Sequence, residues 1–279
     1  MTALAKTSIA ATFAATLLST TALAGETRTR AFTFQSAGQT MAATLHLPAN
    51  HRAGERLPTL IVTGAWTSVQ EQMPTTYARE MASRGFAAIT FDFRGWGRSG
   101  DLPDGQRFVE SPTAKIEDIR AAVLAAASQP EVDAAAIHGL GICASAGYMV
   151  DAAIGNAAIR SVSLVAPWLQ NAEIAHAVYG GEAGIAALVA LSRQAAAQGG
   201  QIIPAAGPVG ATGVLMPLGG YYHEPSRGAI PAYDNRWNNA GWEGWLAYSP
   251  ADRGGQLTQP LTIVHSEAAA IPQGVRAFL

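Results

Sequence analysis

The chain has 279 residues, 49% hydrophobic and 14% charged, with a formal net charge of -2. That composition supplies ample apolar surface for one large core and excludes a disordered chain. The balance of 18 basic and 20 acidic residues leaves no electrostatic footprint for nucleic acid, and beyond the N-terminal region no run of about 18 apolar residues offers a membrane span.

At the N-terminus Lys6 precedes an apolar stretch from Ile9 to Leu18, and small residues follow, ending in Ala22-Leu23-Ala24. This is the pattern of a secretory signal peptide. Its apolar core is short for a bilayer, and the A-x-A ending predicts cleavage after Ala24. The expected location is periplasmic or secreted, with 25–279 as one domain.

Arg30 to Phe34 and Ala42 to Leu47 alternate as two strands of a hairpin, and Gly54 to Pro58 reads as a turn. Thr59 to Val62 is a short apolar strand ending at Thr63-Gly64-Ala65-Trp66. A helix around Tyr77 to Ser83 and a strand from Phe86 to Phe93 follow. Lys115 to Ala127 sets Ile116, Ile119, Val123 and Ala126 at helical spacing, and Ala134 to Leu140 reads as a buried strand. A helix resumes with Tyr148, Met149 and Ala152 on one side, and Ser161 to Ala166 and Leu261 to His265 are further strands. This alternation predicts an α/β fold, a mostly parallel sheet with helices on both faces.

From about 169 to 258 the pattern loosens into an Ala-rich helix at Ala183 to Ala197, many glycines and a cluster of Tyr and Trp residues. It reads as an inserted cap over the carboxyl ends of the strands, where sheets of this type bind ligands. An irregular packing segment is the alternative.

Cys143 is the only cysteine and cannot form an internal disulfide. It lies in Gly141-Ile142-Cys143-Ala144-Ser145, with a strand behind it and a helix ahead. A nucleophile at such a sharp turn needs small neighbours, and Gly141, Ala144, Ser145, Ala146 and Gly147 supply them. The helix start offers N–H groups and a dipole that lower a thiol's pKa and stabilise an oxyanion. Ala144 is one expected oxyanion donor, with Ala65 or Trp66 the second. Two other readings stay open: a register in which Ser145 is the nucleophile, and an inert core thiol.

The segments Val62-Thr63-Gly64-Ala65-Trp66, Phe91 to Ser99 and Gly139 to Gly147 resemble those of α/β-hydrolases, especially the dienelactone-hydrolase-like group. That group favours G-x-C-x-G-G at the turn, where this chain has Ser145 and Ala146 as the last two residues. The resemblance implies a Cys, His and acid triad acting on an ester or similar acyl bond, with no metal or cofactor. It also implies that Asp92 and Arg94 tie down the turn after the second central strand by hydrogen bonds.

Glu267, just after the strand Leu261 to His265, is the expected acid, since Glu can fill this role. In this fold the histidine follows the acid, and no histidine follows Glu267. The chain therefore reads as if cut short at Leu279. His265 and His223 are the histidines considered as base, whereas His138, inside the strand before the turn, reads as a core or hydrogen-bonded residue. The functional expectation is an acyl hydrolase for a small ester, lactone or thioester, impaired by the missing histidine. The alternative is a noncatalytic small-molecule binding protein on the same scaffold. A redox-sensing thiol ranks last because no resolving cysteine exists. The oligomeric state is not legible from the sequence.

Overall fold

A computed structural model describes residues 27–279; the signal peptide read at 1–24 lies outside them. The chain opens with β1 (Arg28–Ser36) and β2 (Gln39–Leu47), paired antiparallel in register from Arg28 opposite Leu47 to Ser36 opposite Gln39. Ala37 and Gly38 join them, both at positive φ, as a two-residue turn matched to strand twist requires.

Next come β3 (Leu57–Thr63), α1 (Met73–Ser83), β4 (Ala87–Phe91) and α2 (Pro112–Ala127), then β5 (Val132–Ile142), α3 (Ser145–Ala153) and β6 (Ile159–Val165). The strand β9 (Leu261–Val264) and helix α7 (Pro272–Phe278) come last. Seven strands form one sheet in the order β1-β2-β4-β3-β5-β6-β9, with β4, β3, β5, β6 and β9 parallel. The predicted strands and helices are all present, most of them running one to four residues beyond the periodic stretch, where periodicity carries no signal.

Alternation divides the core between the two sheet faces. Ile61, Ile89 and Ile137 pack on the face covered by α2 and α3, while Leu60, Val62, Ala88, Leu140 and Ile142 pack on the other face with α1. On α2 the predicted stripe is buried, with Ile119, Val123 and Ala126 inside and Ile116 half-buried. Helix α3 differs from its amphipathic reading, because all nine of its residues are buried. Pro250 and Tyr248 lie against it at Gly147.

Between β6 and β9 lie α4 (Ala172–Val178), α5 (Gly181–Ala197), a small antiparallel pair β7 (Ile202–Pro204) and β8 (Arg236–Asn238), and α6 (Trp242–Leu246). This stretch is anchored on the main body: Asn238 N–H donates to the Phe108 carbonyl at 2.8 Å, and the Tyr248 hydroxyl donates to Asp151 of α3 at 2.7 Å. Among the described residues no single helix is long and apolar enough to cross a membrane.

Candidate active site

Strand β5 ends at Ile142, Cys143 takes a left-handed backbone conformation at φ 56°, and α3 begins at Ser145. A non-glycine residue there costs of order 1–3 kcal/mol and persists only when its surroundings fix it. They do so here. The Cys143 N–H donates to the Val165 carbonyl at 3.0 Å, and its carbonyl accepts from Trp168 N–H at 2.9 Å and Ala146 N–H at 3.2 Å. The turn also depends on Gly141, where a side-chain carbon would stand 2.7 Å from Ala146 Cα and 2.8 Å from the Ser145 carbonyl oxygen.

The backbone N–H groups of Ala144 and Trp66 lie near the Cys143 sulfur and favour its charged form. Ala144 belongs to the turn, and Trp66 to the loop after β3. That loop is held at several points. Ser68 Oγ donates to the Ala65 carbonyl at 2.7 Å, and Asp92 at the end of β4 accepts from Gln70 N–H at 2.8 Å and from the Gln70 amide at 3.1 Å. Asp92 also accepts from Arg98 N–H at 3.1 Å, closing the Phe93 to Ser99 turn. Arg94 fastens the same turn to α2, with Nε 2.7 Å from Asp118 and a terminal nitrogen 2.6 Å from Glu117.

Ser145, considered as the other nucleophile, is fully buried. Its hydroxyl accepts from Ile142 N–H and donates to the Ile142 carbonyl, both at 3.1 Å. Ala65 is buried and serves as the acceptor for Ser68.

Burial pushes the Cys143 pKa above its ordinary value, the two N–H groups act in the opposite direction, and the Glu110 charge adds to the rise. Desolvation of the charged form thus works against the lowering expected from the helix start.

A buried polar cluster beneath the turn carried no motif in the sequence. Glu110 accepts from Lys115 Nζ at 2.8 and 2.9 Å and from the Tyr148 hydroxyl at 2.7 Å. Lys115 Nζ lies 4.8 Å from the Phe93 ring centre and 4.9 Å from that of Trp96. The one available signal was a Glu and a Lys five residues apart around Pro112 at a helix start.

Cys143 is half-buried, and it faces a cavity of about 380 Å³. The floor is Trp66, Cys143 and Ala144, while the roof comes from the stretch between β6 and β9 through Tyr179, Met216, Tyr222, Trp242 and Trp245. That stretch thus supplies most of the walls, and among the described lining residues none is charged and none is histidine.

The other predicted site residues lie apart from this cavity. Glu267 follows β9 as expected but is exposed and ion-paired with Arg276. His265 follows β9 directly and is half-buried, its two ring nitrogens without hydrogen-bond partners among the described residues. His223 is exposed in a short 3-10 turn of the insertion. His138 Nδ1 hydrogen-bonds the Ser161 hydroxyl at 2.8 Å.

No family model matches the chain. Over 125 residues, 45% of this chain, it is 39% identical to the uncharacterized protein PA2218 of Pseudomonas aeruginosa and 31% identical to the uncharacterized protein YcjY of Escherichia coli. The aligned segment spans only 33% and 40% of those proteins. Over the fold, the crystal structure of PA2218 superposes with a TM-score of 0.70 at 23% identity, covering 91% of this chain and 92% of that one. The α/β hydrolase GrgF of Penicillium sp. sh18 gives 0.70 at 19% identity, covering 90% and 85%. At these identities the likeness is one of architecture, and the architecture of this chain is the α/β-hydrolase fold.

Proposed function

We propose that the protein is an acyl hydrolase in which Cys143 attacks a small ester, lactone or thioester. The observation that carries this reading is the convergence of the Ala144 and Trp66 N–H groups on a strained cysteine that opens into an apolar cavity. Two backbone donors at one point are what a developing oxyanion requires, and removing one such donor typically costs about 100- to 1000-fold in rate.

In the acylation step the Cys143 sulfur bonds to the substrate carbonyl carbon and the carbonyl oxygen takes negative charge beside the two N–H groups. The bond to the leaving oxygen or sulfur then breaks, and the thiol proton passes to solvent or to the leaving group. Water later cleaves the thioester and restores the thiol. Among the described residues no histidine lines the cavity to assist either proton transfer, and without one the reaction is fastest on esters with good leaving groups and deacylation is slow.

The test is hydrolysis of an aryl ester by the wild type, Cys143→Ala and Ser145→Ala. A release of about one equivalent of phenol that is faster than the turnover following it is expected from the wild type, and none from Cys143→Ala. A burst that survives in Cys143→Ala overturns the assignment. The histidine-free lining also favours a second reading, a binding protein that holds such a molecule without cleaving it. It predicts saturable binding with no burst from any of the three.

A further inference from the structure

The cavity carries a statement about what it accepts, resting on the reading of Cys143 as the acylated residue. Six aromatic side chains line it, and four of them have their polar hydrogens committed, the exceptions being Trp66 and the Tyr179 hydroxyl, which accepts a hydrogen bond but donates none among the described residues. Trp245 Nε1 donates to the Tyr179 hydroxyl at 2.8 Å, and the Tyr222 hydroxyl donates to the Trp66 carbonyl at 3.3 Å. Trp168 Nε1 donates to Gln170 at 3.0 Å, and Trp242 Nε1 to Asn239 at 3.3 Å. Trp66 Nε1 has no partner among the described residues, but the atom is fully buried and does not reach the cavity surface. The remaining wall is aliphatic, sulfur-bearing or small, as at Val178, Leu215, Met216, Pro217, Leu218 and Ala270.

Among the described residues a ligand therefore finds hydrogen-bond donors beside the Cys143 sulfur and at the Tyr179 hydroxyl, both neutral, and no cation. Everywhere else it is held by apolar and aromatic contact. A carboxylate placed in this cavity would lose its hydration and meet no cation, which is the costly case of burying an unpaired charge.

The geometry points to neutral, apolar acyl compounds as the substrate class of this site, with negatively charged acyl compounds excluded. A volume of about 380 Å³ is more than twice the roughly 150 Å³ apolar cavity that holds one benzene. A phenyl ester of a short fatty acid fits within it. The wall reaches solvent at Val178 and Leu218, which are 40% and 72% exposed, so a longer chain leaves the cavity between apolar side chains.

The test separates binding from chemistry. Calorimetric titration of the full chain carrying Cys143→Ala, and separately Cys143→Ser, compares phenyl butanoate with monophenyl succinate, which replaces the terminal methyl by a carboxylate. The expected result is saturable binding of the neutral ester and at least about 100-fold weaker binding of the succinate. A smaller difference, a preference for the succinate, or no binding of either overturns the inference. If the expected ratio appears while the wild type forms no acyl-thioester, the catalytic reading fails and the specificity stands. If the wild type acylates equally well with both esters, the specificity fails and the nucleophile stands.

Discussion

Cys143 is pulled two ways: two N–H groups favour its thiolate, while burial and the neighbouring Glu110 charge favour the thiol, and the second pair prevails. Thiolate is therefore scarce at neutral pH. Alkylation by iodoacetamide is expected to accelerate with pH to beyond the ordinary thiol range, and a plateau below pH 8 in the rate profile would contradict this. Glu110→Gln removes the negative charge, so the same profile should move to lower pH. The variant also leaves Lys115 buried without its partner, at a cost of about 3–5 kcal/mol in urea unfolding. His46 gives a separate pH signature. Burial lowers its pKa from 6.5 to about 4, so the unfolded chain binds this proton more readily. Its contribution is complete above about pH 6.5 and is lost as pH falls toward 4, by of order 3 kcal/mol. His46→Gln should flatten the stability curve in that window, and an unchanged slope would place the acid sensitivity elsewhere.

At the scale of elements, the turn after β5 is the most legible part of the molecule. A buried apolar strand, small residues and a resumed helix are all local signals, and they identify the strand end and helix start to within two residues. Gly139 and Gly141 face α3, where Met149 and Ala146 press against the strand. Gly141→Ala would drive a carbon into backbone atoms that cannot swing aside. We expect it to destabilise the protein by more than about 2 kcal/mol and to abolish the phenol burst; a burst of wild-type size would show that the turn can relax. The Glu110, Lys115 and Tyr148 cluster was not legible. Its members come from a loop, a helix start and a helix 38 positions away from Glu110, and no period in the sequence links them. The burial that raises the Cys143 pKa was not legible for the same reason, since the residues that close over it lie far along the chain.

At the scale of the whole molecule, the parallel core follows from the alternation of strands and helices, which short crossovers enforce, whereas the strand order, with β4 between β2 and β3, had no signal in that alternation. The insertion was legible as a departure from that pattern and by its aromatic content, but not in its contacts. Tyr179, Tyr222, Trp242 and Trp245 close over Cys143 through pairings that depend on where α4, α6 and the 3-10 turn at 220–223 settle. The packing of Trp66 against Trp237, Trp242 and Trp245, with ring centres 4.8 to 5.9 Å apart, links this roof to the loop that carries the proposed second oxyanion donor. In the proposed reading, roof and Cys143 are one unit. The most direct test of that unit is the peptide mass spectrum of the wild-type chain quenched during reaction with phenyl butanoate. The account predicts a butanoyl group on the peptide containing Cys143, fragmenting at Cys143 and absent from Cys143→Ala. A butanoyl group on Ser145, or hydrolysis that proceeds in Cys143→Ala at the wild-type rate, would contradict it.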